Sequence, residues 1–286
     1  MATPVSPLRN LMAQLSFTSF PLKVFPVDDL PAARLRDNRI LTFFSYGPGF
    51  TDDAASFDPE CLRWLTYLKA VGLPFRTEFC NEPLQAPNGR LPFLVAPRTD
   101  LPAGPAQVVA DEDILDYLQT THGAENLPDV AEALRPAQRA LLTLVQTVVA
   151  DAARYYLWVV PANYEAQTRW AYGARYVWPV NWLEPRTRQQ QITRRLLATN
   201  GAPVTRDEMY GRALEVLRGL MDHLGETDAY FFGAERPTLL DVTVFAHLFP
   251  VLSAPMPESQ FRSQLKQIPR LENYVRRIWD AYYQAV

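Results

Sequence analysis

The sequence predicts an α+β fold in which a small N-terminal α/β layer is followed by an all-helical layer. Three observations predict it. First, Asn88-Gly89-Arg90-Leu91-Pro92-Phe93-Leu94-Val95 runs from a turn into an apolar strand that opens with proline. Proline gives up a ladder N–H and fixes φ, so Pro92 is tolerated there if the Leu91–Pro92 bond is cis and turns the chain into the strand. Second, strand and helix signals over residues 40–121 follow the order β-α-β-β-β-α. Third, the chain is helical in pattern from Asp129 onward. These place an N-terminal arm at 1–38, an α/β domain at 39–122 and a helical domain at 123–286.

The elements follow in order. In the proline-dotted arm, Leu8, Leu11, Met12 and Leu15 fall at helical spacing and suggest a short amphipathic helix. Ile40–Phe44 reads as a buried strand. Asp58 as N-cap, Pro59 at the first helical position, Gly72 as C′ and Pro74 beyond it delimit a helix. Cys61, Leu62, Leu65 and Leu68 form its apolar stripe. Leu73–Cys80, Pro92–Ala96 and Gln107–Ala110 read as strands, with a loop at Arg98–Pro105. Asp111–Thr121 reads as a helix, with Asp111 as its cap, and Gly123–Pro128 as a linker. Long helical segments follow at Val130–Tyr156, Arg186–Thr199, Thr205–Leu224, Leu239–Leu252 and Arg270–Tyr283. Thr238-x-x-Asp241 is a capping-box variant opening the Leu239–Leu252 helix, whose Leu240, Val244, Leu248 and Leu252 belong in the helical core.

Composition excludes several function classes. The formal charge of -3 argues against a nucleic-acid binder. The two cysteines, Cys61 and Cys80, make neither a disulfide framework nor a zinc site. No N-terminal apolar core marks a secretory signal, and no apolar run is long enough to span a bilayer. His122, His223 and His247 stand at no ligand spacing, and His247 reads as a satisfied core histidine. No nucleophile elbow, P-loop or dinucleotide fingerprint occurs. No catalytic, cofactor or metal site is expected.

A proline-led strand in this layout is the mark of the thioredoxin-like half of glutathione-transferase folds. An active transferase needs a hydroxyl after the first strand, at a helix N-terminus that helps to stabilise a thiolate. Ser45 and Tyr46 stand near that place. The loop Tyr46–Phe57 separates them from the helix, and Asp52, Asp53 and Asp58 add negative charge that raises a thiol pKa. Val109-Ala110-Asp111-Glu112 replaces the Glu/Gln-Ser pair that grips the γ-glutamyl group. Asn81–Arg90 is too short for the helix that supplies a third contribution. The scaffold is expected to be kept and the chemistry lost; the alternative is an active transferase using Tyr46 or Ser45.

The residues also resemble a narrower family, the metaxins. The resemblance rests on Asp58-Pro59-Glu60-Cys61-Leu62, Tyr67-Leu68-Lys69-Ala70-Val71-Gly72-Leu73-Pro74, Asn81-Glu82-Pro83 and Ala86-Pro87-Asn88-Gly89-Arg90-Leu91-Pro92. It continues in Tyr230-Phe231-Phe232-Gly233, Pro237-Thr238-Leu239-Leu240-Asp241 and Ala254-Pro255-Met256-Pro257. It covers roughly residues 40–283. It implies a non-catalytic subunit of the mitochondrial sorting and assembly machinery, on the cytosolic face of the outer membrane. Implied partners are the β-barrel insertase, a sister metaxin-like subunit and β-barrel precursors. The chain ends near Tyr283 without an apolar tail, so it resembles the peripheral kind, meeting the membrane only at its surface. A transferase-like interaction module of another complex is the remaining alternative.

Arg154–Leu196 offers a surface for such contacts. It carries Arg154, Arg169, Arg175, Arg186, Arg188, Arg194 and Arg195 against only Glu165 and Glu184. Aromatic and arginine anchors are what protein interfaces favour, and they also suit an anionic lipid surface. Trp158, Trp170, Tyr172, Arg175, Tyr176, Trp178 and Trp182 are therefore the candidate partner interface, carried on a long connection between helices. Core packing of these rings is the competing expectation. Pro92, Asp58, Thr238 and Asp241 are expected to be structural.

Overall fold

The first layer is built around a four-stranded sheet in the order β2-β1-β3-β4. The computed structural model describes residues 40–50, 54–97, 106–123, 128, 130–200, 205–225 and 229–284. The expected arm at 1–38, the loop at 98–105 and most of the 123–128 linker lie outside the described residues. β1 (Leu41–Ser45) pairs in parallel with β2 (Phe75–Phe79). β3 (Phe93–Ala96) runs antiparallel to both β1 and β4 (Gln107–Ala110). Alternating residues place Phe43 opposite Leu94, both fully buried, and Phe44 stacks on Phe93 with ring centroids 4.6 Å apart. The Leu91–Pro92 bond is cis, as expected; Gly47–Pro48 and Trp178–Pro179 are cis as well.

α1 (Pro59–Val71) bears out the sequence signals at both ends. The Asp58 carboxylate accepts the N–H groups of Glu60 and Cys61, each at 3.1 Å. Gly72 closes the helix at φ 79°, a left-handed conformation that glycine adopts without a Cβ penalty. Cys61, Leu62, Leu65 and Leu68 are all buried. Asp111 departs from expectation. It makes no capping bond; a short 3₁₀ turn at Asp111–Asp113 precedes α2 (Ile114–His122). Its Oδ1 instead accepts the Asn88 amide at 2.6 Å, tying the turn before Pro92 to the end of β4.

The helical layer starts with α3 (Arg135–Leu144), which widens into a π-helical turn at Val145–Val149 and continues as α4 (Ala150–Arg154). A second π turn, Tyr155–Val159, leads through Pro161 into α5 (Pro161–Asn163), a third π turn at Tyr164–Thr168 and α6 (Arg169–Gly173). α7 spans Val180–Asn200 with Pro185 inside it. The stretch expected as a long connection is therefore mostly helix. Its prolines read as breaks in the sequence, but Pro161 opens its helix, where no intrahelical N–H is owed, and Pro185 lies inside α7, which continues past it despite the missing N–H. α8 (Arg206–Leu224), α9 (Leu239–Ser253), α10 (Gln260–Lys266) and α11 (Leu271–Tyr282) complete the layer.

α9 is the central helix, with Leu240, Val244 and Leu248 fully buried, and it packs against α1 to join the two layers. Its start is held by Asp241. One carboxylate oxygen accepts the Thr238 N–H at 2.9 Å and hydroxyl at 2.7 Å. The other accepts the Phe231 N–H at 3.0 Å and the Tyr274 hydroxyl at 2.8 Å. The Ala254-Pro255-Met256-Pro257 motif follows α9. Arg262 donates to the carbonyls of Ala254 and Met256 at 2.8 and 3.1 Å, so the motif is a stapled exit from the core helix. At the far end of α1, the Thr66 and Tyr283 hydroxyls meet at 2.8 Å, and Lys69 donates to the Tyr282 carbonyl at 2.8 Å.

Candidate functional site: a clasped cleft and an exposed aromatic corner

The two layers face each other across a cleft of about 660 Å³. Tyr46, Asp58 and Leu91 line it from the first layer, and Trp158, Tyr172 and Arg188 from the second. Tyr46 lies just past the end of β1, where a transferase would present a hydroxyl to a thiol. Here Arg188 of α7 reaches across and donates to the Tyr46 hydroxyl at 2.6 Å. The same guanidinium donates to Asp58 Oδ2 at 3.3 Å, and the Tyr172 hydroxyl donates to that oxygen at 2.8 Å. Arg188 also lies over the rings of Tyr172, Tyr46 and Trp158, at 4.5, 5.0 and 5.4 Å. This group clasps the layers together. The helix cap from the first layer is gripped by two side chains from the second.

Burial and the Asp58 charge oppose ionisation of the hydroxyl and thiol beside the cleft, and Arg188 favours it. Burial pushes the Tyr46 hydroxyl well above its usual range; Arg188 opposes that shift and Asp58 adds to it. Burial works against the Arg188 charge, but Tyr172, Tyr46 and Asp58 outweigh it and hold the guanidinium charged. The thiol nearest the cleft, Cys61, is pushed well up by burial and then by Asp58. Ser45 is fully buried and donates to the Tyr46 carbonyl at 2.7 Å, so its hydroxyl is spent on the backbone. The turn at Pro83–Gln85 is a single 3₁₀ turn, too short for a binding helix, as expected. His247 is buried in the cleft wall, but its Nδ1 has no hydrogen-bond partner among the described residues, so it is not the satisfied histidine expected. Burial, Arg154 and Arg63 all lower its pKa and keep it neutral. No metal-holding group of acidic, cysteine or histidine side chains occurs among the described residues.

The structure divides the seven residues of the expected interface. Trp158 and Tyr172 are only 3% and 5% exposed and belong to the cleft and clasp, so they cannot present themselves to a partner. Their rings lie 4.5 Å apart, and Tyr172 also meets Phe57 and Tyr46 edge-on. Tyr176 is partly covered, its hydroxyl 3.5 Å from Glu82. Trp170, Arg175, Trp178 and Trp182 are exposed. They gather at the corner where α6 turns into α7. Gly173 makes that corner possible, because a Cβ there would stand 2.5 Å from the Asn181 carbonyl oxygen. Arg169 covers the Trp170 ring at 4.8 Å and Arg186 the Trp182 ring at 5.0 Å.

Residues 61–189 match the family model of the outer mitochondrial membrane transport complex protein Tom37. Residues 212–278 match the glutathione S-transferase C-terminal domain. Human Metaxin-2 is 26% identical over 235 residues, covering 82% of this chain and 84% of the relative. Mouse Metaxin-1 is 28% identical over 234 residues, covering 80% and 71%. The chain is thus similar to the metaxins over about four fifths of its length. Its fold is that of the glutathione transferases. GSTFuA3 from Phanerochaete chrysosporium superposes with a TM-score of 0.57 at 18% identity, covering 87% of this chain and 98% of that one. GSTFuA2 from the same organism gives 0.56 at 15% identity, covering 85% and 98%. The Tom37 match contains Tyr172 and Arg188 of the clasp and the whole aromatic corner.

Sequence reasoning missed the role of Arg188, which stood among other arginines of one run. Among the described residues, no helix is long and apolar enough to cross a membrane.

Proposed function

We propose that the chain is a non-catalytic subunit of a mitochondrial outer-membrane transport complex. In the finer form of this reading it is a peripheral subunit of the sorting and assembly machinery on the cytosolic face. There it would contact the β-barrel insertase and a sister metaxin-like subunit and help to receive β-barrel precursors. The observation that carries the reading is that the stretch matching the transport-complex family, 61–189, also builds the exposed aromatic corner. The clasp supports the non-catalytic part, since Arg188 and Asp58 fill the place where a thiol would be activated.

In this reading the exposed residues Trp170, Arg175, Trp178 and Trp182 form a docking surface, with Tyr176 at its edge. An aromatic anchor at an interface centre contributes about 2 kcal/mol or more, roughly a thirtyfold change in affinity. Single alanine variants of Trp170, Trp178 and Trp182 are expected to fold normally, because each ring is largely solvated already. Co-isolation of the tagged full chain with the outer-membrane complex is the measurement. The expected result is at least one normally folded variant that no longer co-isolates. A wild-type chain that fails to enrich with outer-membrane complexes would overturn the assignment.

A further inference from the structure

Resting on the reading of the aromatic corner as a docking surface, we propose that its occupant is an anionic phospholipid surface. The corner and the exposed face of α7 lie on the headgroups, with Trp178 at the tip.

The tip protrudes. Val177 and Trp178 are 80% and 81% exposed, so the described residues leave both of these adjacent apolar side chains largely uncovered. Behind the tip, Trp182, Arg186, Gln190 and Arg194 follow at intervals of four along α7 (Val180–Asn200), and all are exposed. Leu183 and Leu197 lie beside that row and are exposed too. The face therefore alternates apolar and cationic groups and carries no acid. Between residues 165 and 195 the cations are Arg169, Arg175, Arg186, Arg188, Arg194 and Arg195; Arg169 pairs with Glu165 at 3.1 Å and Arg188 with Asp58 at 3.3 Å, and the remaining acid of the stretch, Glu184, is partly buried, so the excess is carried by Arg175, Arg186, Arg194 and Arg195. This local excess stands out in a chain whose net charge is -3, and it complements an anionic surface.

Tryptophan prefers the membrane–water boundary, where its ring is apolar and its N–H stays wet. The Arg186 guanidinium stacked on Trp182 lies beside the ring that would enter the boundary, at the level of lipid phosphates. The backbone at the corner is already partly satisfied. The N–H groups of Tyr176, Asn181, Trp182 and Leu183 bond within the turn, and Pro179 has none to lose. That lowers the cost of moving the corner into a drier medium. A protruding, solvated tip with a cationic flank fits a deformable anionic lipid surface.

The test is flotation of the purified full chain with vesicles, without any partner protein. One set is phosphatidylcholine alone; the other contains about one quarter phosphatidylserine. The chain is expected to float with the second set and not the first, and to be released as salt rises. Val177→Asp and Trp178→Ala are each expected to weaken flotation roughly tenfold, and Arg186→Glu with Arg194→Glu by at least as much. Circular dichroism and melting of each variant should match the parent. No flotation with anionic vesicles, or flotation unchanged in all these variants, would overturn the proposal. If the variants lose the outer-membrane complex while the parent never binds vesicles, the corner docks on protein and only the lipid inference falls. If vesicle binding behaves as expected but the chain never co-isolates with the complex, the lipid inference stands and the proposed function falls.

Discussion

Replacing Asp241 by alanine is expected to lower stability by about 4 kcal/mol, and the melting temperature by roughly 8 °C for a chain of this size. Four donors lose their acceptor at once: the Thr238 N–H and hydroxyl, the Phe231 N–H and the Tyr274 hydroxyl. All lie at the buried start of α9, where water cannot replace the carboxylate without opening the core. The pH profile carries a second signature. Burial raises the Asp241 pKa from 3.8 to about 6, against the pull of its hydrogen bonds to Thr238, Phe231 and Tyr274. The folded chain thus binds this proton more tightly than the unfolded chain does. The stability it contributes is fully present below about pH 4 and is lost as pH rises through about 6, an effect of up to about 3 kcal/mol. Urea unfolding of wild type and Asp241→Asn across that window checks both points. The stability gap between them is expected to narrow as pH rises from 4 to 6.

The clasp should give the second large effect. Arg188→Met removes the cation from a buried carboxylate and is expected to cost about 3 kcal/mol. The cost stays below that of a fully interior pair because Arg188 keeps part of its surface in water. Asp58→Asn is expected to cost less, since an asparagine still caps α1. The double variant is expected to be more stable than the sum of the two losses predicts, by about 2 kcal/mol. A coupling near zero would mean that Arg188 and Asp58 are neighbours only. Tyr172→Phe, which removes one donor to Asp58 and keeps the ring, should cost about 1 kcal/mol.

Much of the first layer was legible because its signals are local. Asp58, Pro59 and Gly72 each act within a few residues, and the strand at Gln107–Ala110 ended where its sequence pattern ended. Leu91–Pro92 was readable because proline at a strand start leaves few conformations. The same logic failed at Asp111, where a cap-like residue spent its oxygen on Asn88, more than twenty positions away in sequence. α5 and α6 were hidden because π turns break the periodicity on which helix recognition rests. The interface candidates split for a related reason. Trp158 and Tyr172 look no different in sequence from Trp170 and Trp178; Trp170 and Tyr172 share one short helix and differ only in the face they occupy, while Trp178 lies beyond the turn at Gly173. Arg188 could not be singled out, because its partners Tyr46 and Asp58 lie far away along the chain.

In this transferase fold the Tyr46 hydroxyl that would serve a thiol is engaged by the chain's own clasp. The most direct test is turnover of glutathione with an electrophilic aromatic substrate by the purified full chain, alongside Tyr46→Phe and Ser45→Ala. The expected result is no conjugation above the uncatalysed rate in any of the three. Measurable turnover by the wild-type chain that either substitution abolishes would contradict the account, because Tyr46 or Ser45 would then be serving a thiol and not the clasp.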